Sequence, residues 1–199
     1  MEQRKDMEES QLAIAEHLLV IGGSAGSLDV LLHVLPKVKR PLHIAIAIVL
    51  HRKSSTQTSL SDLLVVKTKH MVKEADDKEM IQQGFVYLAP ADYHLLIEQD
   101  RTFALDDSEK VNFSRPSIDV TFETAAEVYK NKLTCLLLSG ANNDGTEGLK
   151  YVKAMGGRIW IQDPRNAEVS QMPKNALTTI NPDAILDEGK MADFINCLD

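Results

Sequence analysis

Four apolar runs, 18–21, 44–50, 133–138 and 158–161, punctuate the chain, each too short and too evenly apolar for an amphipathic helix. Runs of this kind read as strands buried on both faces of a parallel sheet. Between them, apolar positions recur at helical spacing over about 27–35, 57–66, 117–130 and 146–155. Pro116 stands just ahead of the third helix, at a favoured first-turn position. Strand and helix in alternation predict an α/β fold: a doubly wound, mainly parallel sheet with helices on both faces.

One stretch breaks the alternation. Phe85-Val86-Tyr87-Leu88-Ala89-Pro90 and Tyr93-His94-Leu95-Leu96-Ile97 are short and close together, which predicts a small antiparallel ribbon insertion, with 101–105 as a candidate third strand. No internal repeat, low-complexity tract or long Pro/Gly/Ser-rich linker divides the chain. The predicted organisation is a flexible N-terminal tail over 1–16, followed by a single domain over 17–199. The tail carries charges of both signs and lacks the apolar centre of a signal peptide.

Composition narrows the function. A domain of 199 residues buries roughly 70% of its unfolded surface, so neither a disulfide nor a metal is needed for folding. A net charge of −7 disfavours nucleic acid and anionic lipid as partners. Cys135 and Cys197 have no metal-ligand spacing and no secretory context, which suits a cytoplasmic protein without a bound metal or cofactor. The longest apolar run, 42–50, is interrupted by His43 and falls far short of the ~20 residues of a membrane-spanning helix.

In an open parallel sheet, ligands gather beyond the carboxyl ends of the strands, so the residues that follow apolar runs are candidates for chemistry. Ser24 follows the first run inside Gly22-Gly23-Ser24-Ala25-Gly26, a G-x-S-x-G strand-to-helix turn beside the next helix's unpaired N–H groups. His51 follows the second run directly, and Asp144 follows the third within Ser139-Gly140-Ala141-Asn142-Asn143-Asp144-Gly145. Asp163, in Gln162-Asp163-Pro164, is the rival acid. A serine becomes a nucleophile when a base takes its proton and a carboxylate orients that base. The chain order Ser, His, acid differs from the Ser, acid, His order of α/β-hydrolases.

Each residue also has a structural reading. Ser24 fits a helix cap, His51 a strand-end hydrogen bond, Asp144 a turn, and Asp163 a loop brace ahead of a proline. His17, His33, His43, His70 and His94 lie in strand-like runs, before a strand or within the first helix, where structural roles are commoner. Dinucleotide binding is disfavoured: Gly22, Gly23 and Gly26 do not complete G-x-G-x-x-G, no Walker lysine follows, and the second strand ends in His51-Arg52-Lys53 rather than an acid.

Taken together, the motifs resemble the catalytic domain of the chemotaxis protein-glutamate methylesterases (CheB-type). Ile21-Gly22-Gly23-Ser24-Ala25-Gly26 is similar to that family's nucleophile turn, Val49-Leu50-His51 to its base segment, and Leu138-Ser139-Gly140 through Asp144-Gly145-Thr146-Glu147-Gly148 to its acid segment. Arg115-Pro116-Ser117-Ile118-Asp119-Val120, Gln162-Asp163-Pro164 and Met172-Pro173 extend the likeness around the same cleft. The resemblance implies a Ser24 nucleophile, a His51 base and an Asp144 orienting carboxylate. It implies hydrolysis of glutamyl methyl esters, and deamidation of glutamines, on a methylated chemoreceptor-type protein without a cofactor.

Ala25 and Ala141 are then backbone candidates for an oxyanion hole, and Arg115, Asp163 and Met172 candidates for the substrate cleft, with Arg52 and Lys53 as further positive charge at its rim. Ala141 and Asn142 depart from the methionine and glycine common in the family, and Ser27 stands where another glycine is common after Gly26. The family's usual receiver domain has no counterpart in this sequence, so regulation by a fused receiver is not expected, and a separate response-regulator or methyltransferase protein is a candidate partner. The alternative is a catalytically weakened module of the same fold that binds a receptor or signalling partner.

Overall fold

The computed structural model describes residues 13–51 and 60–198. Its centre is a seven-stranded sheet in the order β3-β4-β2-β1-β7-β8-β9, with every neighbouring pair parallel. The strands are β1 (Leu18–Gly23), β2 (Ala45–Leu50), β3 (Met71–Glu74), β4 (Phe85–Leu88), β7 (Leu133–Leu137), β8 (Arg158–Gln162) and β9 (Ala184–Leu186). β1, β2 and β7 are buried at every position, as their unbroken apolar runs require.

Helices cover both faces, and alternation along β1 assigns its residues to them. Leu18 and Val20 point into one core with Ile118, Phe122, Ala125, Ala126 and Tyr129 of α3 (Ile118–Tyr129), Leu149 and Val152 of α4 (Thr146–Ala154), and Met172 and Ala176 of α5 (Gln171–Thr179). Leu19 and Ile21 point into the other, with Val30, Leu31 and Val34 of α1 (Ser27–Val34), Leu64 of α2 (Leu60–Lys67), and Met191, Ala192 and Ile195 of α6 (Glu188–Ile195). The doubly wound sheet expected from the sequence is the fold observed.

The ribbon is present with different members. β5 (His94–Ile97) pairs antiparallel with β6 (Phe103–Asp106), whereas 85–88 joins the main sheet between β2 and β3. Val86, Tyr87 and Leu88 are essentially fully buried, and a strand that apolar on both faces belongs inside a sheet rather than on a surface ribbon. The short 89–93 connection resembles a hairpin but instead lifts the chain off the sheet. The ribbon packs its Leu95, Ile97 and Phe103 into the α3 core, and Thr121 Oγ1 of α3 donates to Leu95 O at 2.8 Å.

The two edge strands and the last two helices carry weak signals. β3 reads Met-Val-Lys-Glu and is only half-buried, and α5 buries just Met172, Pro173 and Ala176 of its nine residues. At the amino end, Ala15 N–H donates to Ile81 O at 2.9 Å and Gln83 N–H to Ala13 O at 3.0 Å, so the packed fold reaches into the segment the sequence assigns to the tail. Among the described residues no helix is long and apolar enough to cross a membrane.

Candidate active site

Sheet order sets the site. β1 runs between β2 and β7, so the chain turns to one side after β1 and later returns to the other, which makes the carboxyl end of β1 the point where the strand order reverses. Gly23 pairs with Leu50 across β1 and β2, and Gly22 with Leu137 across β1 and β7. The three residues beyond these pairs continue the ladder: His51 N–H donates to Gly23 O at 3.1 Å, Leu138 N–H to Gly22 O at 2.8 Å, and Ser24 N–H to Ser139 O at 2.9 Å. Ser24, His51 and the loop carrying Asp144 therefore leave adjacent strands at one rim.

The Ser24 turn needs its glycines. Gly26, the N-cap of α1, has φ +79°, a left-handed conformation that favours glycine. Gly140, on the loop after β7, approaches so closely that a Cβ there would lie 1.8 Å from Met172 Sδ and 3.0 Å from Ser24 Cβ. Ser139 ties the turns together: its hydroxyl donates to Ala25 O at 2.7 Å and accepts Val169 N–H at 2.9 Å, while its own N–H donates to the buried Gln162 Oε1 at 2.8 Å. Ser24 itself is half-buried, and its hydroxyl has no hydrogen-bond partner among the described residues, His51 included.

Asp144 is fully buried and satisfied from every side. Oδ2 accepts His51 Nε2–H at 2.7 Å and Ile118 N–H at 2.7 Å. Oδ1 accepts Ser117 Oγ–H at 3.0 Å, Asp119 N–H at 2.9 Å and Gly145 N–H at 3.0 Å. Ile118 and Asp119 open α3, so the carboxylate sits on the unpaired N–H groups at that helix's positive end. Burial pushes its pKa up, but the His51 bond and the Asp119 and Ile118 N–H groups outweigh it and hold the carboxyl below its ordinary value. Asp144 is therefore an anion, an acceptor only, and His51 must carry its proton on Nε2.

Neighbouring Asp119 behaves oppositely. Burial raises its pKa, the Gly148 N–H bond partly offsets that, and the adjacent Asp144 charge raises it further. His94, fully buried beneath this corner, accepts Ser117 N–H on Nδ1 at 3.1 Å and donates from Nε2 to Glu109 O at 3.1 Å. It is a structural histidine, as its position within a strand-like run suggests.

The structure separates the remaining candidates. Ala25 and Ala141 are exposed at the Ser24 turn and the β7–α4 loop, and neither N–H has a hydrogen-bond partner among the described residues. Met172 is fully buried and packs over Gly140 beside Ser24. Arg115 turns back on its own loop, donating from one guanidinium nitrogen to Asp107 O at 2.5 Å and Ser108 O at 2.8 Å. Asp163 pairs with Arg165 at 2.6 Å, which holds its carboxyl down at about 2, so it braces the β8 loop while Asp144 takes the histidine. Arg52 and Lys53 lie outside the described residues.

Three partners of the site escaped the sequence reading: Ser117, the α3 N–H groups, and Asn142. Ser117 was legible as an N-cap, since Pro-Ser-Ile-Asp is a helix-start pattern, but not as a donor to a residue 27 positions away. Among the described residues no cluster of His, Cys, Asp or Glu could hold a metal ion.

A family model described as CheB methylesterase matches residues 19–195, nearly the whole described fold. The chain belongs to the CheB methylesterase family. A Leptospira interrogans relative is 44% identical over 181 residues, covering 91% of this chain and 94% of its own length. A Thermotoga maritima relative, named protein-glutamate methylesterase/protein-glutamine glutaminase, is 35% identical; the match covers 90% of this chain and 53% of that protein. The crystal structure of the Thermotoga maritima CheB methylesterase catalytic domain superposes with a TM-score of 0.87 at 34% identity, covering 92% of this chain and 98% of that one. The CheB-type resemblance inferred from spaced motifs thus holds across the fold.

Proposed function

We propose that this chain is a serine hydrolase that removes methyl groups from glutamyl esters of chemoreceptor-type proteins, and deamidates glutamines by the same acyl transfer. The observation that carries the reading is the His51–Asp144 pair, 2.7 Å apart at the rim where the Ser24 turn also ends. With Nε2–H committed to Asp144, the lone pair on Nδ1 is the base.

In this reading Ser24 Oγ attacks the ester carbonyl as its proton passes to His51 Nδ1, and the imidazolium then protonates the departing methoxide, releasing methanol. The negative charge that develops on the carbonyl oxygen is met by the N–H groups of Ala25 and Ala141. Water, deprotonated by the same nitrogen, cleaves the acyl-enzyme to glutamate and returns the proton to Ser24. With a glutamine substrate the leaving group is ammonia and the remaining steps are the same. The protein-glutamate methylesterase and protein-glutamine glutaminase activities carried in the Thermotoga relative's name support these two reactions. Met172 and Gly140 shape the floor beside the nucleophile, while Arg115 and Asp163 hold the surrounding loops.

Covalent labelling by a fluorophosphonate tests the assignment. Modification mapped to Ser24, abolished by Ser24→Ala and strongly slowed by His51→Ala, is the expected result. Labelling at another residue, or labelling indifferent to His51, would refute it.

A further inference from the structure

The loop between β7 and α4 brings a second group to the same imidazole. Asn142 Oδ1 accepts Asp144 N–H at 3.2 Å, so the amide's other end, Nδ2, faces His51, 3.3 Å from Nδ1. The backbone of this loop is held from α5, where Asn175 Nδ2 donates to Asn142 O at 3.3 Å. Asp144 already fixes the Nε2–H tautomer, so the amide does not decide which nitrogen carries the proton. Its effect is to occupy the lone pair that Ser24 must reach, while the Ser24 hydroxyl has no hydrogen-bond partner among the described residues. The same Nδ2 also donates to Ser114 Oγ at 3.5 Å, a partner the amide keeps if it leaves the imidazole.

We propose that Asn142 is a removable cap on His51. In the resting protein its amide donates to both Nδ1 and Ser114 Oγ; when substrate enters, the amide releases Nδ1 while keeping Ser114 Oγ, and the Ser24 hydroxyl takes its place on the imidazole. No covalent bond changes in this step. The inference rests on Ser24 and His51 acting as nucleophile and base, and makes Asn142 a positioning residue that sets how readily they meet.

The test is the rate of Ser24 phosphonylation by a fluorophosphonate across pH 5 to 9 in wild type, Asn142→Gly, Asn142→Asp and Ser114→Ala, with a melting curve for each. A neutral hydrogen bond of ordinary net strength corresponds to about a 2- to 10-fold gain when the cap is removed, so Asn142→Gly reacts faster by that factor. Asn142→Asp keeps the bond to Asp144 N–H but sets a negative charge against Nδ1, favouring a proton there. It reacts more slowly at pH 7, and the acidic limb of its profile moves to higher pH. Ser114→Ala, lacking the acceptor that holds the amide once it leaves Nδ1, is slower than wild type.

Wild-type labelling together with unchanged or slower Asn142→Gly overturns the cap and leaves the nucleophile assignment standing. Should Asn142→Gly not fold, an unmoved acidic limb in Asn142→Asp overturns it equally. A wild-type protein that is never labelled at Ser24 removes both.

Discussion

His51 Nε2 and Asp144 Oδ2 are 2.7 Å apart, and the carboxylate that accepts this bond also accepts two N–H groups from the first turn of α3. Helix and histidine thus share one anion, and the imidazole's orientation is tied to the packing of α3 on the sheet. Asp144→Asn offers an N–H where an anion stood, against Ile118 N–H and His51 Nε2–H alike. Turnover should fall by about 10⁴-fold, the order seen when a triad carboxylate is made an amide, with a lowered melting temperature. Steady-state rates and a thermal melt on the same sample check both.

Ser117 extends that network. Both it and Asp144 are fully buried, and the hydroxyl donates to Oδ1 at 3.0 Å. Ser117→Ala should cost about 1.5–3 kcal/mol of stability, the range for a bond to a charged group. Ser117→Thr should restore most of it. Denaturant midpoints of the two variants give the comparison.

Gly140 has no room for a methyl group. The added Cβ would overlap Met172 Sδ and press on Ser24 Cβ at 3.0 Å. Gly140→Ala is expected to destabilise by about 1–3 kcal/mol through overpacking. Met172→Ala in the same chain should recover part of the stability without recovering activity, because the pressure on Ser24 persists.

At the opposite rim, burial lowers the His17 pKa to about 4, helped by the charges of Arg158 and Lys132, while Nε2 bonds Thr134 Oγ1 at 3.0 Å. Between that value and the ordinary 6.5 the unfolded chain binds a proton that the folded chain does not, so stability falls as pH drops through this window. His17→Gln lacks the titrating group. Urea denaturation at pH 7 and pH 5 should show a smaller loss in the variant than in wild type.

The rim that carries the candidate site was legible because three central strands are buried on both faces, and each announces its carboxyl end by where its apolar run stops: Ser24 and His51 stand close to that point, and Asp144 lies a short loop beyond Leu138. That rule works where burial makes a strand's sequence uniform. It failed for 85–88, whose apolar character was seen but whose partner was not, since a five-residue connection is compatible with a hairpin and with an exit from the sheet. It was silent for β3 and β9, whose edge positions demand little apolar content. The bonds of Ser117 to Asp144 and of Asn142 to His51 were invisible for another reason: each crosses a junction that only the assembled sheet creates.

The most direct measurement of the central claim is methanol released from a receptor fragment carrying glutamyl methyl esters, by the wild-type chain and by Ser24→Ala. Loss of the nucleophile should lower the rate by at least about 10⁴-fold. A Ser24→Ala protein that released methanol within about tenfold of the wild-type rate would contradict the account, because no triad survives removal of its nucleophile so lightly.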